Sequence, residues 1–361
     1  MTEYRIRTAH GFASFSESGG HALPHEHILV DSRVWWEGEG DWREFDSPEV
    51  LAATSNADLH RRPQGVTREN MILSDWYLAA KELLLARDHG TQLIVDLTVL
   101  GTGPNIEIAV RAADLAGIGI VVSAGRYLHN TLPERERMVD ENELVDRWMS
   151  QIYESGPGEL PGIIGEIGTS FDITDEEKTS IVAAGRVQHQ TGLAMNIHVH
   201  PFAKRALSAI EIAVGAGADP RKIAISHLDC EIDVPQLIDI LKTGAYVEMD
   251  NFGTSRSRIV NGDGYPDDSE RIDLIGILVS EGYERQLLLS HDINHRNSLV
   301  ANGGWGYAHI GSTIIPLLDD RFGQDLTRRL VSANPLEFLH LDRDREAAMT
   351  AASSPGRPAA A

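Results

Sequence analysis

The sequence predicts an α/β chain wound into a (β/α)8 TIM barrel with a binuclear metal centre at the C-terminal ends of its strands. Three observations carry that expectation. Eight short apolar runs alternate with stretches of helical periodicity along the 361 residues. Five of the runs finish on a metal-binding side chain, in chain order His25 with His27, Glu166, His198, His227 and Asp292. In barrels of this kind reactive residues sit at such strand ends.

The elements follow in order. Residues 1–20 form an N-terminal arm with a strand-like YRIRTA. In HALPHEHILVD, side chains two apart on a strand share a face, so His25 and His27 can grip one ion. They do so from the end of a strand that continues as Ile28, Leu29 and Val30, while Glu26 points the other way. Residues 33–70, which include WWEGEGDW, are polar and rich in Trp, Gly and Pro. They exceed an ordinary βα connection and are expected to cover the pocket. Helix-like SDWYLAAKELLLARDHG then precedes TQLIVDLTV, and NIEIAVRAADLAG precedes IGIVVSAG. The strand-like GIIGEIG, AMNIHVH, KIAISHL, AYVEMD and QLLLSHD follow, with DEEKTSIVAAGRVQHQTG and ALSAIEIAVGAGADP among the helices between them. Gly90, Gly117 and Gly192 stand where helices stop before the next strand. The barrel spans 21–344, and the tail 345–361, ending AASSPGRPAAA, is expected to be disordered.

Composition fits a large enzyme and excludes several partners. At 42% hydrophobic and 24% charged, the chain can bury one large core as a single domain. A net charge of -22, spread along the chain, repels nucleic-acid phosphates and anionic membranes. No apolar run approaches the length that would cross a bilayer. MTEYRIRTAHGFASFSESGG lacks the regions of a secretory signal, and the single Cys230 suits a reducing compartment. A cytoplasmic enzyme acting on a small molecule is expected, with a homodimer left open.

From the HEH segment through NPLEFL near Asn334, the chain resembles the phosphotriesterase-related family of the amidohydrolase superfamily. Within it, GIIGEIGTS, SHLD, GAYVEMD, LLSHDI and ANGGWGYAHI are most similar to the phosphotriesterase homology proteins. The resemblance implies that His25, His27 and Asp292 bind a buried ion, His198 and His227 a more exposed one, and that Glu166 bridges them. Two divalent ions are thereby implied, zinc first, with manganese or cobalt as alternatives. The best-known phosphotriesterases bridge their ions with a carboxylated lysine. A glutamate has the same charge and a shorter reach, so the fourth strand must come closer to the metals or the metals must sit differently. Asn251 stands where the family carries a relay histidine, which puts fast phosphotriester cleavage in doubt, because Asn cannot pass a proton. Asp229 matches the family's other relay carboxylate and equally suits a group that orients a ligand histidine. Tyr127 matches a tyrosine placed to hydrogen-bond the oxygen being polarised. Arg271 matches an arginine that would anchor an anionic substrate group, or would salt-bridge Asp267 or Asp268 and hold its loop.

Two further residues carry alternatives. His200 shares a strand face with His198 and reaches either toward substrate or into solvent. Trp305, with Tyr307, either walls the pocket or packs the eighth loop onto the barrel. A centre of two divalent cations lowers the pKa of bridging water to near neutrality, and Asp292 would accept its proton, with Asp229 passing it on. The expectation is a metal-dependent hydrolase of a small ester, lactone or amide. Its alternatives are a phosphoester or phosphorylated-lactone hydrolase and a non-catalytic metal-containing binding protein. A deaminase is disfavoured, because one ion needs no bridging glutamate.

Overall fold

The β-rich runs form eight parallel strands, and the order in which they pair is the order of the chain. They are His21–Glu26, Thr91–Asp96, Gly119–Ala124, Pro161–Gly168, Ala194–His198, Ile223–Ile225, Tyr246–Met249 and Leu287–Leu289, first to eighth. A helix follows each, from Trp76–Asp88 after the first to Ile315–Phe322 after the eighth, so the sheet is wound by successive βα units. The computed structural model describes residues 2–352 apart from 104, 256–258 and 261–262. The ring nearly closes. Where the eighth strand meets the first, Asp292 N–H donates to His25 O at 3.3 Å and His25 N–H to Ser290 Oγ at 3.2 Å. Two of the expected ligands thus lie on the closing seam.

Helix ends obey local chemistry. Gly117 and Gly192 terminate their helices in the left-handed region, at φ 72° and 73°, where a side chain would be strained. Thr174 and Glu177 form a reciprocal capping box at the start of the helix Asp175–Thr191.

The core has two parts, and their placement decides where a site can be. Between strands and helices lies an apolar layer that includes Ile94, Ile120, Ile164, Ile197, Val247 and Leu289. Inside the barrel, Leu93, Val121, Ile163, Ala194, Ala224 and Leu288 fill the N-terminal end. The antiparallel hairpin of Glu3–Thr8 and Gly11–Ser16 closes that end with Tyr4 and Ile6. Its backbone comes so near the fourth strand that a Cβ on Gly162 would lie 1.9 Å from Arg7 O. With the bottom sealed by apolar packing, polar side chains gather at the opposite, C-terminal mouth.

Two expectations are corrected. The first strand ends at the histidine pair instead of continuing from it: the strand is HALPHE, and Ile28, Leu29 and Val30 follow it into the outer layer. Pro24 masked it, and the ladder to the second strand shifts register between Leu23 and Glu26, where a proline has no donor to offer. The tail expected to be disordered from about Arg345 begins instead within the helix Arg343–Ala352. Met349 is buried, Arg5 Nε donates to Glu346 Oε2 at 3.0 Å and Arg345 donates to Gln190 O at 2.8 Å, anchors that a low apolar content conceals. Residues 353–361 lie outside the described residues. Among the described residues no helix is long and apolar enough to cross a membrane.

Candidate metal centre

Glu166 owes its place to the glycine before it. Gly165 has φ 111°, and a Cβ there would lie 2.2 Å from Asn196 O on the fifth strand. The ladder between the two strands shifts register between Ile164 and Ile167, and such an irregularity re-aims the side chain beside it. Glu166 Oε1 consequently lies 2.8 Å from His198 Nδ1, 3.2 Å from His227 Nε2 and 3.7 Å from His25 Nε2. Its Oε2 is 3.9 Å from His27 Nε2. Across the centre, Asp292 Oδ1 is 3.2 Å from His27 Nε2 and 3.7 Å from His25 Nε2. All six residues expected as ligands therefore meet. His227 and Asp292 hold φ of 63° and 50°, and besides them Lys204 is the only other non-glycine with positive φ among the described residues. Backbone strain of this kind persists where a side chain must point in one direction.

The imidazoles are turned by what lies behind them. His25 Nδ1 faces Glu248 Oε2 at 3.0 Å and Asp250 Oδ2 at 3.1 Å, His227 Nδ1 faces Asp250 Oδ1 at 3.1 Å, and His27 Nδ1 faces Thr98 Oγ1 at 2.9 Å. With Nδ1–H donating outward, each Nε2 lone pair is aimed at the centre. Two atoms there, His25 Nε2 and Asp292 Oδ1, are buried with no hydrogen-bond partner. Buried acceptors without donors are costly, and several converging on each other from imidazole and carboxylate groups make a donor set that suits zinc, manganese or cobalt. Among the described residues three overlapping triads have ligand atoms within 4.8 Å of one another, among them His25, His27 and Asp292, and Glu166, His198 and His227.

The electrostatics point the same way. Burial would raise the Glu166 carboxyl, but His198, His227 and His25 hold it well below the usual carboxylate range. Burial opposes charge on His25 and His227, yet Glu248 and Asp250 lift the first, and chiefly Asp250 the second, well above an ordinary imidazole. Clustered buried carboxylates of this kind call for positive charge between them. Glu248 and Asp250 escaped the sequence analysis. They stand two apart in an apolar strand, the same i, i+2 signal that marked the histidine pair. Asn196 and Ser226 also donate to Glu248 Oε2, at 2.7 and 2.9 Å.

Above the ligands opens a cavity of about 280 Å³, the scale of a small molecule. The segment 33–70 roofs it with Val34, Trp35, Trp36 and Gln64. Arg68 pins that roof, donating to Asp46 Oδ1 at 2.6 Å, Glu39 O at 2.8 Å and Asp41 O at 3.0 Å while lying 4.6 Å from the Trp36 ring. Tyr127 lines the cavity; its Oη accepts Trp35 Nε1–H at 2.8 Å and stands 3.2 Å from His198 Nδ1. Burial, and then Glu166, keep its pKa well above 10, so it remains a neutral hydroxyl donor. His200 is also in the wall, half-buried against Trp35 and Phe171.

Three expected residues lie elsewhere. Arg271 is wholly buried and is not in the cavity wall; its Nε donates to Asp229 Oδ2 at 2.6 Å and its Nη1 to Thr254 O at 2.7 Å. It is therefore no anchor for substrate; Asp268, at 3.4 Å, is only its secondary partner, being taken up by His309 and the Gly253 N–H, and Asp267 caps the helix Asp268–Ser280. Asp229 is correspondingly a counter-ion. Among the described residues it takes Arg271, the Asn251 backbone N–H and Asn251 Nδ2, shares no hydrogen bond with Asp292, and touches the centre only through Asn251 and Asp250. Trp305 does not wall the cavity. It packs over Gly253, where a Cβ would lie 2.4 Å from the indole, and borders a separate cleft with His60 and Asn297. Tyr307 braces the first strand instead, donating to His27 O at 2.6 Å. Substituting Arg271→Met strands a buried carboxylate and should cost about 3–5 kcal/mol, which Asp229→Leu in the same chain should largely restore. Denaturation midpoints check this, and a loss under about 1 kcal/mol would mean that the pair is not a buried ion pair.

Comparison with known proteins places these observations in a family. The family model described as the phosphotriesterase family matches residues 4–339. The N-acetyltaurine hydrolase of Dictyostelium discoideum is 34% identical over 278 residues, 75% of each chain. A resiniferatoxin-binding protein from Rhodobacter sphaeroides superposes with a TM-score of 0.83 at 29% identity, covering 93% of this chain and 95% of that one. A phosphotriesterase homology protein from Escherichia coli shares the fold with a TM-score of 0.75 at 24% identity, over 90% of this chain and all of that one.

Proposed function

The chain belongs to the phosphotriesterase family and is a hydrolase of that family, and from this premise we propose that it cleaves a small carboxylic ester, lactone or amide at a centre of two divalent metal ions. His25, His27 and Asp292 would hold one ion, His198 and His227 the other, and Glu166 would bridge them. The supporting observation is the pair of buried, unpartnered atoms His25 Nε2 and Asp292 Oδ1, 3.7 Å apart, with Glu166 Oε1 3.7 Å from the first of them. Two divalent ions supply, when bound, a water acidified to near neutrality and a Lewis acid for the scissile carbonyl; zinc is the first choice and manganese or cobalt the alternatives.

The chain's own residues do the rest. Asp292 takes the proton of the attacking water and returns it to the leaving group, its other oxygen held by Asn294 Nδ2 at 2.9 Å. Tyr127, oriented by the Trp35 indole, donates a hydrogen bond from its hydroxyl to the carbonyl oxygen as charge develops there. His200 and the aromatic roof of 33–70 position the substrate and exclude water. Residues 21–344 are the catalytic unit, and residues 1–20 the arm that seals its base.

Amide or ester chemistry is preferred over phosphoester chemistry on two grounds. The described cavity wall carries no lysine or arginine to meet a phosphate, and the Dictyostelium relative is named for cleaving an amide. A non-catalytic binding role is the second reading, favoured by the Rhodobacter neighbour's name. Metal-loaded protein screened against carboxyl esters, lactones, amides and phosphoesters distinguishes them. The expected result is turnover on the first three classes and little on the last. Tight binding without turnover of any of them would overturn the hydrolytic proposal.

A further inference from the structure

Asn251 closes the seventh strand, buried, in the wall of the cavity that Glu166, His198 and Asp292 also line. Its amide nitrogen is fully committed. Nδ2 donates to Asp250 Oδ1 at 2.7 Å and to Asp229 Oδ1 at 3.1 Å. Ionised carboxylate oxygens only accept, so these two partners fix which way the amide is turned. Asp229 meets donors on both of its oxygens, Arg271 Nε at 2.6 Å and the Asn251 backbone N–H at 3.1 Å on Oδ2, and Asn251 Nδ2 on Oδ1. The carbonyl Oδ1 accepts no hydrogen bond among the described residues, and it is not among the atoms sealed in the core without a partner. It is the polar atom of this side chain that is left to the cavity.

A fixed acceptor at the mouth of the centre is selective. It attracts N–H, and it repels the lone pairs of an ester or lactone oxygen placed opposite it. Building on the hydrolase reading above, we propose that Asn251 Oδ1 receives the N–H of the scissile bond, so that the substrate class is secondary carboxamides. The reaction balances with water alone. The C–O bond forms at the carbonyl carbon and the C–N bond breaks. One proton of the water passes to the departing nitrogen and the other stays with the carboxylic acid, giving an acid and a primary amine. While the bond is intact, the Oδ1 contact holds the nitrogen with its hydrogen turned toward Asn251, which leaves the nitrogen lone pair free to take the incoming proton on another side.

The test uses the metal-loaded full chain and a matched set of substrates: a secondary N-alkylacetamide, its N-methyl derivative and the corresponding acetate ester. The N-methyl derivative removes the N–H without changing the protein. The native enzyme should favour the secondary amide over the tertiary one by about 10- to 100-fold in kcat/KM. In Asn251→Leu, which is close in size and offers no acceptor, that ratio should fall toward one whatever the absolute rates, while Asp229 keeps Arg271 and Asp250 keeps His227 as partners. Equal kcat/KM for the two amides in the native enzyme, or an unchanged preference in Asn251→Leu, would overturn the assignment. Hydrolysis of ester and lactone without preference for N–H would do so while leaving the hydrolase reading intact, whereas no turnover on any substrate would remove both.

Discussion

Glu166→Ala should lose at least one of the two bound ions and, with it, hydrolysis of every substrate. Removing a group that merely supports a metal ligand typically costs 10- to 100-fold in metal affinity, so deleting the carboxylate that lies within 3.9 Å of all four ligand imidazoles should cost more than about 100-fold. Elemental analysis after dialysis against a weak chelator reads the loss directly. A variant with full metal content and native turnover would end the bridging role. Bicarbonate provides a control. Glu166 is a carboxylate already, and the cavity wall holds no lysine. Lys222, the one lysine drawn into the fold, donates to the backbone carbonyls of Glu337, Phe338 and His340 instead. Metal reconstitution of the native protein should therefore be indifferent to added bicarbonate, and a strong requirement would point to a carboxylated lysine.

Asp292→Asn separates holding a metal from moving a proton. The amide oxygen can still coordinate, but the base is gone, so turnover should fall by about two to four orders of magnitude, with metal content falling less than in a His25→Ala comparison. The structure leaves Asp292 with no relay partner of the kind the sequence suggested, because Asp229 is occupied by Arg271. Asp292→Asn is consequently expected to be far more damaging to turnover than Asp229→Asn is in whatever fraction of that variant folds. Near-native turnover in Asp292→Asn would mean that the proton leaves by another group.

What the sequence revealed and what it hid divide along a physical line. Period and chemistry are local, so the alternation of strands and helices could be read directly, as could the gathering of His25, His27, Glu166, His198, His227 and Asp292 at strand ends. Pro24 hid the first strand because propensity counts a proline against a strand, while the barrel simply lets the ladder skip it. The partners of long-range polar groups were not legible. Sequence sets Arg271 at the end of the seventh loop, whereas it stands in the helix Asp268–Ser280, and only the packing of Asn251 and Asp229 against it decides that it points inward rather than into the cavity. Glu248 and Asp250 were legible in principle, because acids two apart within an apolar strand face one way, and a buried pair of acids needs partners. The positive φ at His227 and Asp292 has no signal in the sequence, since neither is a glycine.

The most direct test of a two-metal hydrolase is to strip the protein of metal, add zinc back stepwise, and measure bound zinc and kcat on a secondary carboxamide in the same samples. The account predicts no turnover without metal and a rise that reaches its plateau at two ions per chain. Full turnover by metal-free protein, a plateau at one ion, or two ions bound with no turnover on any amide, ester or lactone would contradict it.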